Sequence, residues 1–164
     1  MERVDRIWKQ EQYQKAYKKL VSLEEDRIFC RHTLEHFLDV ARLAYIYNLE
    51  EQAGIDKELI YAAALLHDIG RVQEYEDGTS HDIASVVFAE KILPECGFSE
   101  MEIREITEAI EGHRNEKKSQ KNITGGLLAT YLKKADKKSR NCMVCSAEAE
   151  CKWSMEKKNF DIEY

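Results

Sequence analysis

Tyr61-Ala62-Ala63-Ala64-Leu65-Leu66-His67-Asp68-Ile69-Gly70 runs from an almost wholly apolar stretch straight into two ionisable residues. Leu59, Ala62, Ala63 and Leu66 recur at helical spacing, and Asp56, just after Gly54, has the short acceptor side chain of an N-cap. The pattern predicts a helix that is nearly all apolar, ended by Gly70 as a left-handed C-cap. The apolar run up to Leu66 is far too short to span a bilayer. One proline and seven glycines are too few for a protein of many short strands and turns. The fold class expected is all-α.

Outward from this segment, the 164 residues read as one compact domain of about six or seven helices. A first helix over residues 4–24 is highly charged and is expected to pack on the outside. A second over residues 31–50 places His36, Val40, Leu43, Ala44 and Tyr47 on one face. Residues 74–80 read as a loop, followed by a helix with Ile83, Val87 and Ile92 inward and Pro94 past its end. Ser99 and Glu102 form a capping-box signature, opening a helix with Ile103, Ile106, Ile110 and His113 on one stripe. After a second loop over residues 115–126, a last helix over residues 127–140 aligns Leu128, Leu132 and Asp136. The expected division is residues 1–30 packing on the domain, 31–140 the domain, and 141–164 a cysteine-containing extension.

His36, His113 and Asp136 thus fall on apolar faces, and His67 and Asp68 end the most apolar helix. A single such histidine is usually a satisfied core residue, but a carboxylate there is costly unless something positive meets it. One metal site would account for all of them at once. The net charge of −6 disfavours wrapping of nucleic acid. Nine Lys/Arg against two acidic residues between positions 114 and 140 make a local basic field suited to a small anion. The charged N-terminus, with Glu2, Arg3, Asp5, Arg6 and Lys9 and no apolar stretch after them, leads us to expect no signal peptide, no membrane anchor and a cytoplasmic location.

Extended to its flanks, the motif is His36-x3-Val40-Ala41, the run Ala63 with Leu65-Leu66-His67-Asp68-Ile69-Gly70-Arg71, then His81, His113 and Ala135-Asp136-Lys137. This set resembles the HD-domain (HDIG-type) superfamily of metal-dependent phosphohydrolases, over about two thirds of the chain. The resemblance implies that His36, His67, Asp68 and Asp136 hold a first ion. It also implies that His81 and His113 hold a second in two-metal members, with Asp68 bridging. Imidazole and carboxylate are ligands that Fe, Mn, Zn, Co and Ni accept, so one or two divalent transition ions are expected. Asp68 and Arg71 are the expected catalytic residues, with Arg71 and Lys137 binding substrate. Arg71 stands where many relatives carry lysine, and arginine adds a two-pronged contact to phosphate. His32, four residues before His36, is left outside the ligand set because the family spacing selects His36.

The resemblance implies hydrolysis of a phosphate ester or anhydride in a nucleotide or small phosphorylated metabolite, by metal-activated water. The six candidate ligands resemble those of members that cleave dinucleoside polyphosphates, and of other two-metal branches. Two alternatives stay open: a di-iron oxygenase of the same superfamily, and a regulatory module that binds a nucleotide without turnover. Fold membership alone names no substrate. The partner expected is a small anion, and the oligomeric state is open, a homodimer included. Cys30, Cys96, Cys142, Cys145 and Cys151 make an odd count that points to reduced thiols; the minority reading is a structural zinc at Cys142-x2-Cys145-x5-Cys151, its fourth ligand having to come from Cys30, Cys96 or a distant histidine.

Overall fold

The computed structural model describes residues 1–112 and 126–162, and it is all helical. Eight α-helices follow in chain order: α1 (Glu2–Lys9), α2 (Glu11–Leu23), α3 (Leu34–Glu50), α4 (Lys57–Leu66), α5 (Arg71–Asp77), α6 (His81–Ile92), α7 (Glu100–Gly112) and α8 (Gly126–Lys138). Single 3-10 turns at Cys142–Val144 and Met155–Lys157 complete the described chain. No described helix is long and apolar enough to cross a membrane.

Helix α4 lies at the centre. Every residue from Leu59 to Leu66 except Tyr61 is buried, and α1, α3, α6, α7 and α8 all pack on it. Asp56 caps it by accepting from the Glu58 N–H at 2.7 Å, as its side chain predicts. The Ser99–Glu102 capping box also forms, with the Ser99 N–H donating to Glu102 at 2.8 Å. Burial of the large apolar side chains here contributes about 1.5–3 kcal/mol each.

The N-terminal segment departs from the sequence reading in two ways. It is two helices, broken at Gln10, whose backbone is extended and whose side chain accepts from the Gln12 N–H at 2.8 Å. It also enters the core: Ile7, Tyr13 and Leu20 are fully buried, and the Tyr13 hydroxyl donates to the Leu65 carbonyl at 2.8 Å. The break turns α1 onto α4 while α2 reaches α5. Arg3 fastens that arrangement, donating to Glu58 at 2.5 Å and to Glu102 at 2.7 Å while stacking over Phe98.

Gly70 does not cap a helix in the left-handed region; its φ is −69°. It is needed for close approach, since a Cβ there would lie 2.3 Å from the His81 carbonyl oxygen and 2.4 Å from the Ser85 nitrogen. The chain re-enters a helix at Arg71, so most of the stretch expected as a loop over residues 74–80 is α5, ended by Gly78 at φ +81°. The same contact sets the face of α6. Ala84, Ser85, Ala89 and Ile92 turn inward, while Ile83 and Val87, expected inside, are exposed, because only small side chains fit against the Gly70 turn.

Candidate metal centre

Four elements converge on the turn after α4. His67 follows the last residue of α4, and its ring Nδ1 bonds the Ala64 carbonyl at 2.7 Å. A proton held there leaves the Nε2 lone pair facing inward. Asp68 is 2 % exposed, with Oδ2 3.1 Å from His67 Nε2. His36 enters from the first turn of α3, whose cap is Thr33. Its Nε2 lies 3.3 Å from Asp136 Oδ1 and 3.9 Å from Asp68 Oδ2. Asp136 comes from the last turn of α8, where basic residues otherwise complement the helix dipole.

One donor atom from each of His36, His67, Asp68 and Asp136 lies within 4.8 Å of all the others. Among the described residues this is the group of His, Cys, Asp and Glu donors gathered tightly enough for one ion. Two imidazole nitrogens and two carboxylate oxygens fit a divalent transition metal, and their two negative charges balance it.

The remaining nitrogens follow one pattern. His36 Nδ1 meets Ser139 Oγ at 3.2 Å, and that hydroxyl donates to the Asp136 carbonyl. His81, the first residue of α6, holds Nδ1 3.1 Å from Glu74 and Nε2 3.2 Å from Asp68 Oδ1. His32 holds Nδ1 2.5 Å from Glu24 and Nε2 3.4 Å from Asp68 Oδ2. All four imidazoles therefore have Nδ1 tied to an oxygen and Nε2 turned toward the centre, as metal-site histidines are normally oriented.

The charges are strongly coupled. Burial by itself would lower the His67 imidazole, but Asp68 and Asp136 raise it to about 10. Burial pushes the Asp68 carboxyl up, and His67 and His32 hold it well below the usual carboxylate range. Burial lowers His32, against the pull of Asp68 and Glu24. Glu24 is itself pushed up by burial, yet the His32 hydrogen bond brings it down to about 2.

Of the sequence-predicted residues, the fold brings together His36, His67, Asp68, Asp136, His81 and Arg71. Arg71 donates from Nε to Asp68 Oδ1 at 3.2 Å and from Nη1 to Glu74 at 2.7 Å. Lys137 does not join them. It follows the inward-facing Asp136 by one residue, which rotates it onto the exposed side of α8. Arg140 shares the face of Asp136 instead, donating to Asp136 Oδ1 at 3.2 Å and to His36 Nε2 at 3.0 Å. His113 and the basic stretch as far as residue 125 lie outside the described residues. Sequence reasoning set aside His32 and did not find Glu24 or Arg140. His32 precedes α3 rather than lying on it, so helical spacing from His36 was no guide to where it would fall.

The cluster opens into a cavity of about 320 Å³, whose wall includes His32, Arg71, Asp136 and Arg140. A larger cleft of about 480 Å³ between α3 and the C-terminal segment is lined by neither histidine nor cysteine.

The HD domain family model matches residues 33–147, which include every member of the four-donor group. This chain belongs to the HD-domain family. A protein of Clostridium beijerinckii carrying only the description "Uncharacterized protein" is 44% identical over 164 residues, covering 100% of both chains. Ribonuclease Y of Lawsonia intracellularis is 36% identical over 89 residues, 54% of this HD protein but 15% of the ribonuclease. Among solved structures, a predicted HD superfamily hydrolase from an uncultured Thermotogales bacterium superposes with a TM-score of 0.62 at 22% identity. That superposition covers 88% of this chain and 80% of the other. It shows that the two share a fold.

Proposed function

We propose that this HD protein is a metal-dependent phosphohydrolase whose substrate is a nucleotide or another small phosphorylated metabolite. Its chief support is the juxtaposition of the four-donor group with the adjoining cavity, whose wall carries Arg27, Arg71, Arg140, Lys152 and Lys158 against Asp136 and Glu148. Family membership supports a hydrolase, and the likeness to a ribonuclease makes short RNA a reasonable inclusion among trial substrates.

In this reading His36, His67, Asp68 and Asp136 would hold one ion, and His81 and His113 would hold another. An ion bound there lowers the pKa of a coordinated water and polarises a phosphoryl oxygen. The chain does the rest. Arg71 is held against Asp68 and Glu74, so its guanidinium is already oriented when a phosphate arrives. Arg140 donates to the His36 Nε2 lone pair that a metal would claim. Arg140 also lines the cavity, where its guanidinium can donate to a phosphate oxygen. Glu24 accepts the Nδ1 proton of His32, which keeps the Nε2 lone pair free to take a proton beside Asp68.

The test is turnover of nucleotides, phosphorylated metabolites and short RNA by protein loaded in turn with Mn, Fe, Co, Ni and Zn. In ¹⁸O-labelled water the label should enter the product phosphate. Asp68→Ala should lose essentially all turnover. Arg71→Ala should keep its metal and lose about 2–4 kcal/mol of transition-state stabilisation. Turnover with an absolute need for dioxygen would move the assignment to the oxygenase branch. Tight nucleotide binding without turnover under every metal would make it a regulatory module.

A further inference from the structure

The cavity beside the four-donor group carries two aromatic side chains that the proposed chemistry leaves unused. Phe29, from the loop before α3, and Trp153, from the segment after α8, both line it. Trp153 is 37% exposed and Phe29 is half-buried, and neither packs against another aromatic ring among the described residues. The core rings behave otherwise: Trp8 sits edge-on to Tyr13 and Tyr17, and Tyr17 to Phe37. A ring left open on a concave wall is apolar surface that a flat ligand can cover. Cys30, Cys142, Cys145 and Cys151 line the same wall, but no three of their sulfurs lie within 4.8 Å of one another. They are not gathered as the ligands of one zinc ion, so the fold does not carry the zinc reading of their spacing.

We infer that Phe29 and Trp153 form the recognition face for a nucleobase, so that the substrate of this site is a single nucleoside phosphate rather than a phosphorylated sugar or acid. The inference deepens the phosphohydrolase reading and rests on it for the position of the phosphate. Of the wall's cations, Arg71 and Arg140 are hydrogen-bonded to the four-donor group, the first through Asp68 and the second through Asp136 and His36. A nucleoside phosphate has an anionic end for these guanidiniums and a flat apolar end for the rings, and every base offers a π-face to stack. A phosphorylated sugar has only the first and would leave both rings wet. At about 320 Å³ the cavity is at the small end of ligand pockets, roughly 300–1,000 Å³, which suits one nucleotide rather than several.

Both rings ride on stapled loops, which limits the cost of ordering them when a ligand binds. Lys158 Nζ donates to the Glu148 carbonyl at 3.0 Å and also to its carboxylate, closing the loop over residues 148–158. Trp153 stands at the middle of that loop. Asn159 then donates to the carbonyls of Lys137 at 2.7 Å and Arg140 at 2.9 Å, tying the loop to the end of α8. The ion pair with Lys158 occupies Glu148 as well, which weakens its opposition to a phosphate. On the other side, Arg27 Nε donates to the Cys30 carbonyl at 2.9 Å, closing the turn that carries Phe29, and Arg31 Nε donates to the Arg27 carbonyl at 2.9 Å. Phe29 and Trp153 both lie outside residues 33–147, the span of the family match, so the base is recognised by the flanks of the HD core.

The test is fluorescence titration of the Trp8→Phe variant, in which Trp153 is the remaining tryptophan, with the four common nucleoside monophosphates and with ribose phosphate. Trp8 packs on Tyr13 and Tyr17 and does not line the cavity, so its replacement leaves the site intact. Metal-free and metal-loaded protein are both titrated, and binding is read without turnover. Each nucleotide should quench Trp153, and ribose phosphate should bind about 5–150-fold more weakly without quenching, the factor lost with one base–aromatic stack. Trp153→Ala, followed by calorimetry, should weaken the nucleotides by a similar factor and leave ribose phosphate unchanged, and Trp153→Phe should restore most of the loss. Ribose phosphate bound as tightly as the nucleotides overturns the proposal. So does nucleotide binding with no quenching and no response to Trp153→Ala, or binding of short RNA with no mononucleotide bound. Quenching and dependence on Trp153 without turnover under any metal would end the phosphohydrolase reading and leave base recognition standing. Equal turnover of nucleotides and sugar phosphates, unchanged in Trp153→Ala, would do the reverse.

Discussion

Gly70→Ala should be among the most damaging single-methyl changes available to this protein, although its backbone would accept alanine. At φ −69° the substitution carries no conformational strain. Elsewhere it would stabilise by about 0.4–1 kcal/mol through the unfolded chain. Here the new Cβ meets the His81 carbonyl oxygen at 2.3 Å, the Ser85 nitrogen at 2.4 Å and the Ala84 Cβ at 2.8 Å. The first two are backbone atoms of α6, so no side-chain rotation relieves the clash. Reaching ordinary contact at 3.4 Å requires α6 to retreat by about 1 Å. Overpacking of this kind costs about 1–3 kcal/mol. The retreat also stretches the relay in which the Gly70 N–H donates to Ser85 Oγ at 2.9 Å and Ser85 donates to the His67 carbonyl at 3.0 Å. Loosening buried polar groups adds about 1–3 kcal/mol. The combined loss, about 2–6 kcal/mol, corresponds at its middle to a fall in Tm of about 10 °C for a chain of this length. Because His81 moves with α6, its 3.2 Å contact to Asp68 Oδ1 should open as well. Thermal denaturation with elemental analysis reads both effects. A variant melting within about 2 °C of wild type, with unchanged metal content, would refute the reasoning.

Chelation should lower the Tm of the loaded protein, since the four donors come together only in the native state; at a metal concentration of 100 Kd the difference is about 2.7 kcal/mol, and identical melting curves would exclude a bound ion. His32→Ala should leave the ion on His36, His67, Asp68 and Asp136 but reduce turnover about 10²–10⁴-fold, as loss of a positioned proton acceptor does, and unchanged kcat would place His32 outside the chemistry. Glu102 is held down to about 2, chiefly by its hydrogen bond from Arg3, and Glu24 is held to about 2 against its burial by His32. Folded carboxylates below the unfolded value of about 4.3 contribute stability that is complete above that pH and is lost as pH falls toward about 2. Wild-type Tm should therefore drop between about pH 4.5 and 2, with Glu102→Gln less stable near neutrality and converging on wild type in acid. Parallel Tm curves across that window would show that the Arg3 clamp contributes nothing.

Most of the helical frame was legible because the strongest signals were local. Asp56 and the Ser99–Glu102 pair form the caps their side chains favour. Leu128 and Leu132 are buried, with Asp136 two turns along the same face. The readings that failed depended on a neighbour. Gly70 looks like a C-cap by composition, and only the approach of α6 reveals why a side chain is excluded. Ile83 and Val87 have the hydrophobicity of core residues, but the inward face of α6 was decided by the turn it packs on. The charged first segment hid Ile7, Tyr13 and Leu20, which lie among enough lysine and glutamate to look like a solvated helix until Gln10 turns the chain inward.

The same distinction runs through the site. Residues that would touch an ion come from helix ends, where periodicity places them: His36 at the start of α3, His67 after α4, Asp136 near the end of α8. The groups that aim them come from wherever the fold supplies an oxygen near Nδ1. For His67 that is the Ala64 carbonyl, for His36 Ser139, for His81 Glu74, and for His32 a carboxylate at the end of α2. No spacing rule links these partners, because each serves only to hold a proton on the outer nitrogen and turn the inner lone pair toward Asp68. Glu24 illustrates the physical demand most sharply. A carboxylate 2 % exposed just beyond a helix end would be costly alone, yet it accepts from the backbone N–H of His32 at 2.7 Å, from that residue's ring, and from the Tyr75 hydroxyl at 2.7 Å. Three donors on one buried acid are more than helix termination requires. They lock His32 beside Asp68, which explains why a residue outside the family's ligand spacing still lies within 3.4 Å of the central carboxylate.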